Sequence, residues 1–348
     1  MKRRTLLASL LSAPVAGAIA RSQSPSAGSA APWKLTPESE PLVTDAKLRA
    51  QILKALDAAK FSGTYTPISH FLVRAATVVE VDGVEQVVLG GNTEYDIPEG
   101  IHGESSMLNH VIARFGSDVA RKNVRFVAFY NHKCGGSGSC GDCRDYQVAV
   151  TDYDRLLIVC GQEIDHTVQV TRFRDQLVPE SEFPDVESAK IPLAKDELES
   201  LTAAAQQARE GGVTLFTTSR HTGAAGISFS GRTYRAAGAD DAAFHYRYPI
   251  GGLLQQAATD RDYFFRAIVV AGEKGNWPVV NYRDRQYGFE AGTFNQKVGK
   301  PVISLILTDG QGNYKMTTFA DCLPRAFSTM QFMPQAVTNF LNTHEKQS

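Results

Sequence analysis

The sequence has no excess of charge of either sign, since 36 Lys and Arg residues stand against 37 Asp and Glu residues in a chain of 348. Proteins that bind nucleic acids or anionic membranes through charge usually carry a basic surplus. The sequence also lacks a long apolar run after its N-terminal region, and the run at 6–18 is too short to cross a bilayer. We therefore expect no nucleic-acid partner, no membrane span and a small-molecule substrate.

The first twenty residues predict a cleavable export signal that is not part of the fold. Lys2, Arg3 and Arg4 precede the apolar run, which ends in small residues at 18–20. The adjacent arginines fit a twin-arginine signal, and the general secretory route remains an alternative. Residues 21–42 begin rich in Ser, Ala and Pro, which predicts a flexible linker. We expect an exported, periplasmic protein that is soluble once the signal is removed.

Cysteine is scarce, and its count of five is odd. Exported proteins usually pair their cysteines in disulfides, but an odd count leaves at least one thiol unpaired. Cys140 and Cys143 form a C-x-x-C pair, a spacing that suits a metal as well as a disulfide. Cys134 remains open as an alternative ligand, a disulfide partner or a free thiol. Cys160 is expected in a buried strand, and Cys322 has no evident partner.

Hydrophobic periodicity predicts two halves with the same order of elements. The first half has predicted helices at 46–59, 105–115 and from about 140, with strands at 72–81, 86–89, 124–130 and 155–160. The second half has predicted helices at 195–209 and 250–258, with strands at 223–229, 232–236, 265–270 and 302–307. This pattern predicts an α/β protein with tandem three-layer α/β/α domains, each a mixed sheet with helices on both faces. We place one domain at 43–171, a linker at 172–192 and a second domain at 193–348.

Two groups of reactive side chains lie at predicted helix starts. His102 and Glu104 begin one helix, and Cys140 and Cys143 begin the next. One imidazole and two thiolates supply the protein ligands of a catalytic zinc site, and a helix N-terminus favours thiolate over thiol. Glu104 is well placed to move protons on a metal-bound water. Either motif alone is weak, but the pair in this order predicts a zinc hydrolase, whereas His110 is expected to be structural or exposed.

The first half resembles the cytidine deaminases over about 64–161. That family's pattern is S-x-F-x-V-G-A, N-x-E, H-A-E and P-C-G-x-C-R-Q. The corresponding segments here are Ser69 to Ala75, Asn92-Thr93-Glu94, His102-Gly103-Glu104 and Ser139-Cys140-Gly141-Asp142-Cys143-Arg144-Asp145. The chain is also similar to the two-domain, homodimeric bacterial type, in which a degenerate copy without a zinc site follows the catalytic domain. In the second half Pro249-Ile250-Gly251-Gly252 stands where H-A-E would be, and no Cys pair follows.

The resemblance implies a site and a reaction. It implies that His102, Cys140 and Cys143 bind zinc and that Glu104 transfers protons. Asn92 and Glu94 would bind the ribose hydroxyls, Phe71 would pack against the pyrimidine ring, and the Gly103 carbonyl would accept from the substrate amine. Arg144 would donate hydrogen bonds to the ligand thiolates. The implied reaction is hydrolytic deamination of cytidine or deoxycytidine by a zinc-bound hydroxide, a step of pyrimidine salvage. The implied assembly is a homodimer whose second domain is structural and helps to shape the pocket.

Two departures from the family pattern keep other functions open. Arg74 stands where the pattern has Gly, and the segment 131–139 is longer than in the pattern. Arg74 would bind an anionic group if it pointed into the pocket, and we expect it to point outward. One alternative is an exported zinc-dependent deaminase or hydrolase acting on a non-nucleoside amine or amidine. The other is a non-catalytic or redox protein in which Cys140 and Cys143 form a disulfide.

Overall fold

The computed structural model describes residues 32–94, 100–131, 138–216, 221–240 and 246–344, and Trp33–Ser348 form one compact unit. The predicted signal at 1–20 and Cys134 lie outside the described residues. Within the described residues, no helix is both long enough and apolar enough to cross a membrane.

The described chain forms two lobes, lobe 1 at 33–178 and lobe 2 at 185–344. Lobe 1 contains strands β1 (Lys34–Leu35), β2 (Arg74–Val81), β3 (Val84–Gly91), β4 (Thr93–Glu94), β5 (Gly100–Ile101), β6 (Phe126–Asn131), β7 (Leu157–Gln162) and β8 (Thr167–Arg172), and helices α1 (Ala46–Ala59), α2 (Gly103–Phe115), α3 (Ser117–Asn123) and α4 (Gly141–Val150). Lobe 2 contains strands β9 (Asp185–Val186), β10 (Gly223–Ser228), β11 (Thr233–Ala237), β12 (Ala239–Asp240), β13 (Tyr246–Arg247), β14 (Phe265–Ala271), β15 (Ser304–Thr308) and β16 (Tyr314–Thr318), and helices α5 (Lys195–Glu210), α6 (Pro249–Thr259), α7 (Tyr282–Lys297), α8 (Thr329–Phe332) and α9 (Pro334–His344). Short 3-10 helices lie at Glu40–Leu42, Phe173–Gln176, Glu180–Glu182 and Ser188–Lys190.

The two lobes contain six-stranded mixed sheets with the same strand order. The order is β3-β2-β6-β7-β8-β1 in lobe 1 and β11-β10-β14-β15-β16-β9 in lobe 2. Strands β6 and β7 are parallel and are joined through α4, as β14 and β15 are joined through α7. The one difference in direction is that β1 runs parallel to β8, whereas β9 runs antiparallel to β16. The predicted duplication of a mixed sheet is confirmed.

Helices cover both faces of each sheet. In lobe 1, Ile52 and Leu56 of α1 are buried against one face, and Met107 and Val111 of α2 are buried against the other. In lobe 2, α5 packs on one face and α6 and α7 on the opposite face. Full burial of such a side chain stabilises the fold by about 1.5–3 kcal/mol. The predicted three-layer α/β/α packing is confirmed.

Most predicted elements appear with small changes in their ends, and some were missed. The α1 prediction is confirmed at both ends, and the Asp82-Gly83 turn has the positive φ angles of 51° and 77° that a tight hairpin needs. Helices α3 and α7 were not predicted from the sequence, nor were the antiparallel strands β8 and β16, each of which lies next to an edge strand of its sheet. Of these, α7 matters most because it packs against α4.

Candidate metal centre

Two helix starts bring the reactive side chains of lobe 1 together. His102 is the N-cap of α2 with extended backbone angles, and Glu104 lies in that helix's first turn. Cys140 is the N-cap of α4, and Cys143 lies in its first turn. The first N–H groups of a helix lack intrahelical partners and give this end a partial positive charge, which stabilises thiolate.

Three candidate metal ligands converge on one point. The Nδ1 atom of His102 lies 3.1 Å from Cys140 Sγ and 3.3 Å from Cys143 Sγ. All three ligand atoms lie within 4.8 Å of one another. A tetrahedral zinc ion bound at about 2.3 Å by sulfur and about 2.0 Å by nitrogen separates such atoms by about 3.5 Å. The donor set and its spacing therefore fit zinc, with Nδ1 as the histidine ligand.

The electrostatics of this cluster favour one ionised thiol beside a protonated imidazole. A hydrogen bond from Cys143 and the nearby His102 imidazolium hold the pKa of Cys140 well below its usual value, although burial opposes this. The Cys140 thiolate in turn raises the pKa of His102 to about 10. The Cys143 thiol has a raised pKa because it donates to Cys140 and is buried. Both residues are free cysteines, so the structure does not contain the disulfide of the redox alternative.

Glu104 is a buried carboxyl next to the candidate ligands, with a side chain only 6% exposed. Burial raises its pKa first, and the negative charge of Cys140 raises it further. The neighbouring Cys143 side chain opposes this rise in the pKa of Glu104. A carboxyl group with a raised pKa is suited to both donate and accept a proton during a reaction.

Gly103 is required where α2 approaches the sheet. A Cβ atom at this position would lie 2.7 Å from the carbonyl oxygen of Val73, so the alanine of the family pattern does not fit without a shift. Gly103 is the first residue of α2, and its carbonyl therefore points along the helix, where it packs against Gly90. The contact between this carbonyl and a substrate amine, which the resemblance implies, stays a prediction.

The Arg144 guanidinium is fully buried and donates to three carbonyl oxygens. Its Nε donates to Ser139 at 2.8 Å, and its two terminal nitrogens donate to Gln176 at 2.8 Å and Pro324 at 2.6 Å. These three carbonyls hold the guanidinium in place, and the hydrogen bonds to the ligand thiolates that the resemblance implies stay a prediction. Burial lowers the pKa of Arg144 to about 10, and the Cys140 thiolate opposes that shift, so the two groups interact through charge.

The Asn92 side chain binds the backbone of the residues that precede β2. Its Oδ1 accepts from Val73 N at 2.9 Å, and its Nδ2 donates to the Phe71 carbonyl at 2.8 Å. Phe71 is itself buried, with its ring 5.4 Å from the ring of Phe327, centroid to centroid. Phe327 belongs to lobe 2, so the second lobe covers the aromatic side chain that was predicted to face a pyrimidine.

Glu94 fixes the loop that precedes Phe71. Its Oε2 accepts from the N–H groups of residues 68–69, both at 3.0 Å, and its Oε1 accepts from the Ser69 hydroxyl. In lobe 2 the Asp240 carboxylate accepts in the same way from the N–H groups of residues 215–216. The same loop contact therefore occurs in the lobe whose helix starts lack the His and Cys ligands.

Lobe 2 carries different residues where lobe 1 has its ligands. Tyr248 is the N-cap of α6 and Asn281 is the N-cap of α7, the positions that His102 and Cys140 hold in lobe 1. Asp284, the third residue of α7, corresponds to Cys143. The Asp284 carboxylate accepts from Gly251 N at 3.0 Å, at the start of α6.

Sequence reasoning missed the residues that lobe 2 contributes to this site. Gln286 Oε1 accepts from Gly141 N, and Arg283 Nε lies 3.1 Å from an oxygen of Asp142. The sequence contains a signal for these residues. The segment Asp284-Arg285-Gln286 aligns with Cys143-Arg144-Asp145 through the arginine that both contain. The remaining predicted features are outside the ligand cluster: Arg74 is half-buried at the start of β2, and His110 is exposed on α2.

The chain is similar to known protein structures over little more than a third of its length. No protein-family model matches it, and no curated protein matches it. It is similar to a solved cytidine deaminase from Burkholderia pseudomallei, with 27% identity and a TM-score of 0.32 over 37% of this chain and 98% of that one. It is also similar to cytidine deaminases from Mycobacterium tuberculosis, with 24% identity and a TM-score of 0.28 over 38% and 95%, and from Mycobacterium leprae, with 22% identity and a TM-score of 0.26 over 36% and 94%.

Proposed function

We propose that this chain is a zinc-dependent hydrolase that releases ammonia from a small cyclic amidine. The observation that carries the proposal is the convergence of His102 Nδ1 with the Cys140 and Cys143 sulfurs beside the buried carboxyl of Glu104. Three ligands of this type leave the fourth position of a tetrahedral site for a reactant, which distinguishes catalytic from structural zinc sites.

The residues of the chain supply proton transfer and orientation in this reaction. Zinc, when bound, supplies a Lewis acid that makes water nucleophilic near neutral pH. The Glu104 carboxylate takes one proton from the attacking water and delivers it to the ring nitrogen next to the carbon under attack. It then takes a second proton from the hydroxyl group on that carbon and delivers it to the amine, which leaves as ammonia while the carbonyl forms. The buried walls of the site exclude bulk water, which strengthens these contacts.

Cytidine or deoxycytidine is the first candidate substrate. Phe71 is a buried aromatic side chain that the resemblance assigns to the pyrimidine ring, Asn92 precedes β4, and Glu94 is the second residue of β4. Each of these polar side chains retains acceptor capacity beyond its backbone contacts, since a carboxylate has about four lone-pair sites and an amide oxygen has two. A ribose hydroxyl can therefore bind without loss of the contacts that shape the loop.

A non-nucleoside amine or amidine is the second candidate, and one observation favours it. Asp240 of lobe 2 makes the same loop contact as Glu94, in a lobe without the ligand cluster. The loop contact alone therefore accounts for an acidic side chain at position 94, and Glu94 is weaker evidence that the substrate contains a ribose.

An ammonia-release assay on the purified chain tests the proposed function. The panel contains cytidine, deoxycytidine, cytidine phosphates and non-nucleoside cyclic amidines, and the Glu104→Gln variant is the control. We expect zinc in both proteins, turnover of at least one substrate by the wild type, and a loss of about 10²–10⁴-fold in the variant. Zinc with turnover of amidines but of no cytidine would select the second candidate. Equal turnover by the variant would reject the mechanism.

We also propose that the mature protein is exported to the periplasm and forms a homodimer. The twin-arginine pattern at 1–20 and the resemblance to the two-domain deaminases support this proposal. N-terminal sequencing of the protein from a periplasmic fraction tests the export, since cleavage near residue 20 is expected. Light scattering of the purified protein tests the dimer.

A further inference from the structure

Helices α4 and α7 begin side by side and cap each other's N-termini. Gly141 N, the first amide of α4, donates to Oε1 of Gln286 at 3.2 Å. In the opposite direction, Tyr282 N and Arg283 N of α7 donate to the Asp145 carboxylate at 3.1 and 3.0 Å. The helix starts approach so closely that a Cβ at Gly141 would lie 2.1 Å from the Tyr282 carbonyl oxygen. Each lobe therefore satisfies the free helix amides of the other.

The Gln286 side chain also reaches the segment that covers Phe71. Its Nε2 donates to the Phe327 carbonyl at 2.6 Å and to Glu290 Oε1 at 3.3 Å. The Phe327 ring packs against Phe71 of lobe 1. The side-chain amide of Gln286 in lobe 2 thus contacts both the peptide group that follows Cys140 and the backbone of Phe327, whose ring covers Phe71.

We propose that Gln286 is a positioning residue for the site of lobe 1, and this inference rests on the proposed function. By accepting from Gly141 N it fixes the peptide group adjacent to Cys140, and with it the direction of the Cys140 sulfur. By donating to the Phe327 carbonyl it fixes the aromatic ring that closes the pocket over Phe71. Gln286, which stands in α7 where α4 has Asp145, thus serves the candidate metal site of lobe 1.

Two substitutions separate these two contacts. Gln286→Met keeps the side-chain volume and removes both the acceptor and the donor. Gln286→Glu keeps an acceptor for Gly141 N, favoured at a helix N-terminus, but cannot donate to the Phe327 carbonyl when ionised. We expect the Met variant to bind Co²⁺ about 10-fold more weakly, as for other residues that orient metal ligands. We expect the Glu variant to keep its Co²⁺ affinity, while KM for the amidine substrate rises in both.

A cobalt titration, followed by the thiolate-to-cobalt absorption, is the primary readout, with KM and kcat measured on the zinc-loaded proteins. Asp145→Ala is the matched control. It removes the carboxylate that caps the N-terminus of α7, and α7 carries no candidate metal ligand. This control should lower the unfolding midpoint and leave the cobalt affinity unchanged. Equal cobalt affinities for wild type and Gln286→Met, or equal losses in Asp145→Ala and Gln286→Met, would overturn the proposal. A wild-type chain that binds no Co²⁺ would overturn the proposed function together with this inference.

Discussion

Cys143 and Asp284 occupy the same place, the third residue of α4 and of α7, and each precedes a buried arginine. In lobe 1 the sulfur at this place faces the His102 imidazole. In lobe 2 the carboxylate instead accepts from backbone N–H groups at the start of α6. A change of one side chain therefore distinguishes a candidate metal ligand from a helix cap, on otherwise similar backbones.

Asp284→Asn tests this cap through the pH dependence of stability. Burial raises the pKa of Asp284 to about 7 from an ordinary 3.8, although the N–H groups of Gly251 and Ile250 oppose the shift. Between these values the folded chain keeps a proton that the unfolded chain releases, so the contribution of Asp284 to the free energy of unfolding falls as pH rises from about 4 to 7. One pKa unit corresponds to about 1.4 kcal/mol, so the total fall is a few kcal/mol.

The measurement is chemical denaturation of both proteins at several pH values. The free energy of unfolding of the wild type minus that of the variant should fall over this range and stay constant above pH about 7. A difference that is independent of pH would show that Asp284 is ionised in the folded protein throughout this range.

The ligand residues could be predicted from the sequence because each motif is short and lies at a helix start. His102 and Glu104 are two residues apart, and Cys140 and Cys143 are three apart, so local geometry alone brings each pair together. Gln286 and Phe327 could not be predicted, because they reach the site only through the packing of lobe 2 on lobe 1. The contact of Arg144 with Pro324 could not be predicted for the same reason, since Pro324 lies 180 residues away.

At the scale of elements, α7 shows why a buried helix can escape sequence analysis. The residues that it buries are polar or small, namely Asp284, Arg285, Gly288, Ala291 and Asn295. Periodicity methods look for apolar side chains at helical spacing, and this helix does not have them on its buried face. In contrast, α1 buries Leu48, Ile52 and Leu56 at that spacing, and its predicted ends are confirmed.

Two glycines of α7 provide a matched test of this packing. A Cβ atom at Gly288 would lie 2.3 Å from the ring of Phe319, whereas a Cβ at Gly292 would meet no atom within 4 Å. We expect Gly288→Ala to lower the free energy of unfolding by about 1–3 kcal/mol, because the ring must move. Gly292→Ala should raise it by about 0.5–1 kcal/mol through helix propensity. Urea denaturation measures both, and a Gly288→Ala protein as stable as the wild type would contradict the packing described.

At the scale of the molecule, two buried arginines join the lobes in a reciprocal way. Arg144 donates to Gln176 in its own lobe and to Pro324 in lobe 2. Arg285 donates to the Cys322 carbonyl in its own lobe and to a carbonyl of lobe 1, at Val178. Removing one partner of a buried charged group costs about 3–5 kcal/mol, so neither lobe can leave the other without a large loss. The candidate ligand cluster therefore belongs to the two-lobe unit as a whole.

The ligand environment of bound zinc tests the central claim most directly. X-ray absorption at the zinc edge, recorded on the purified full chain, reports the number and type of ligands. The account predicts one zinc per chain with two sulfur ligands at about 2.3 Å and one imidazole nitrogen at about 2.0 Å. It also predicts that Cys143→Ser loses one sulfur from this shell. A chain without zinc, or zinc bound by oxygen and nitrogen alone, would contradict the site formed by His102, Cys140 and Cys143.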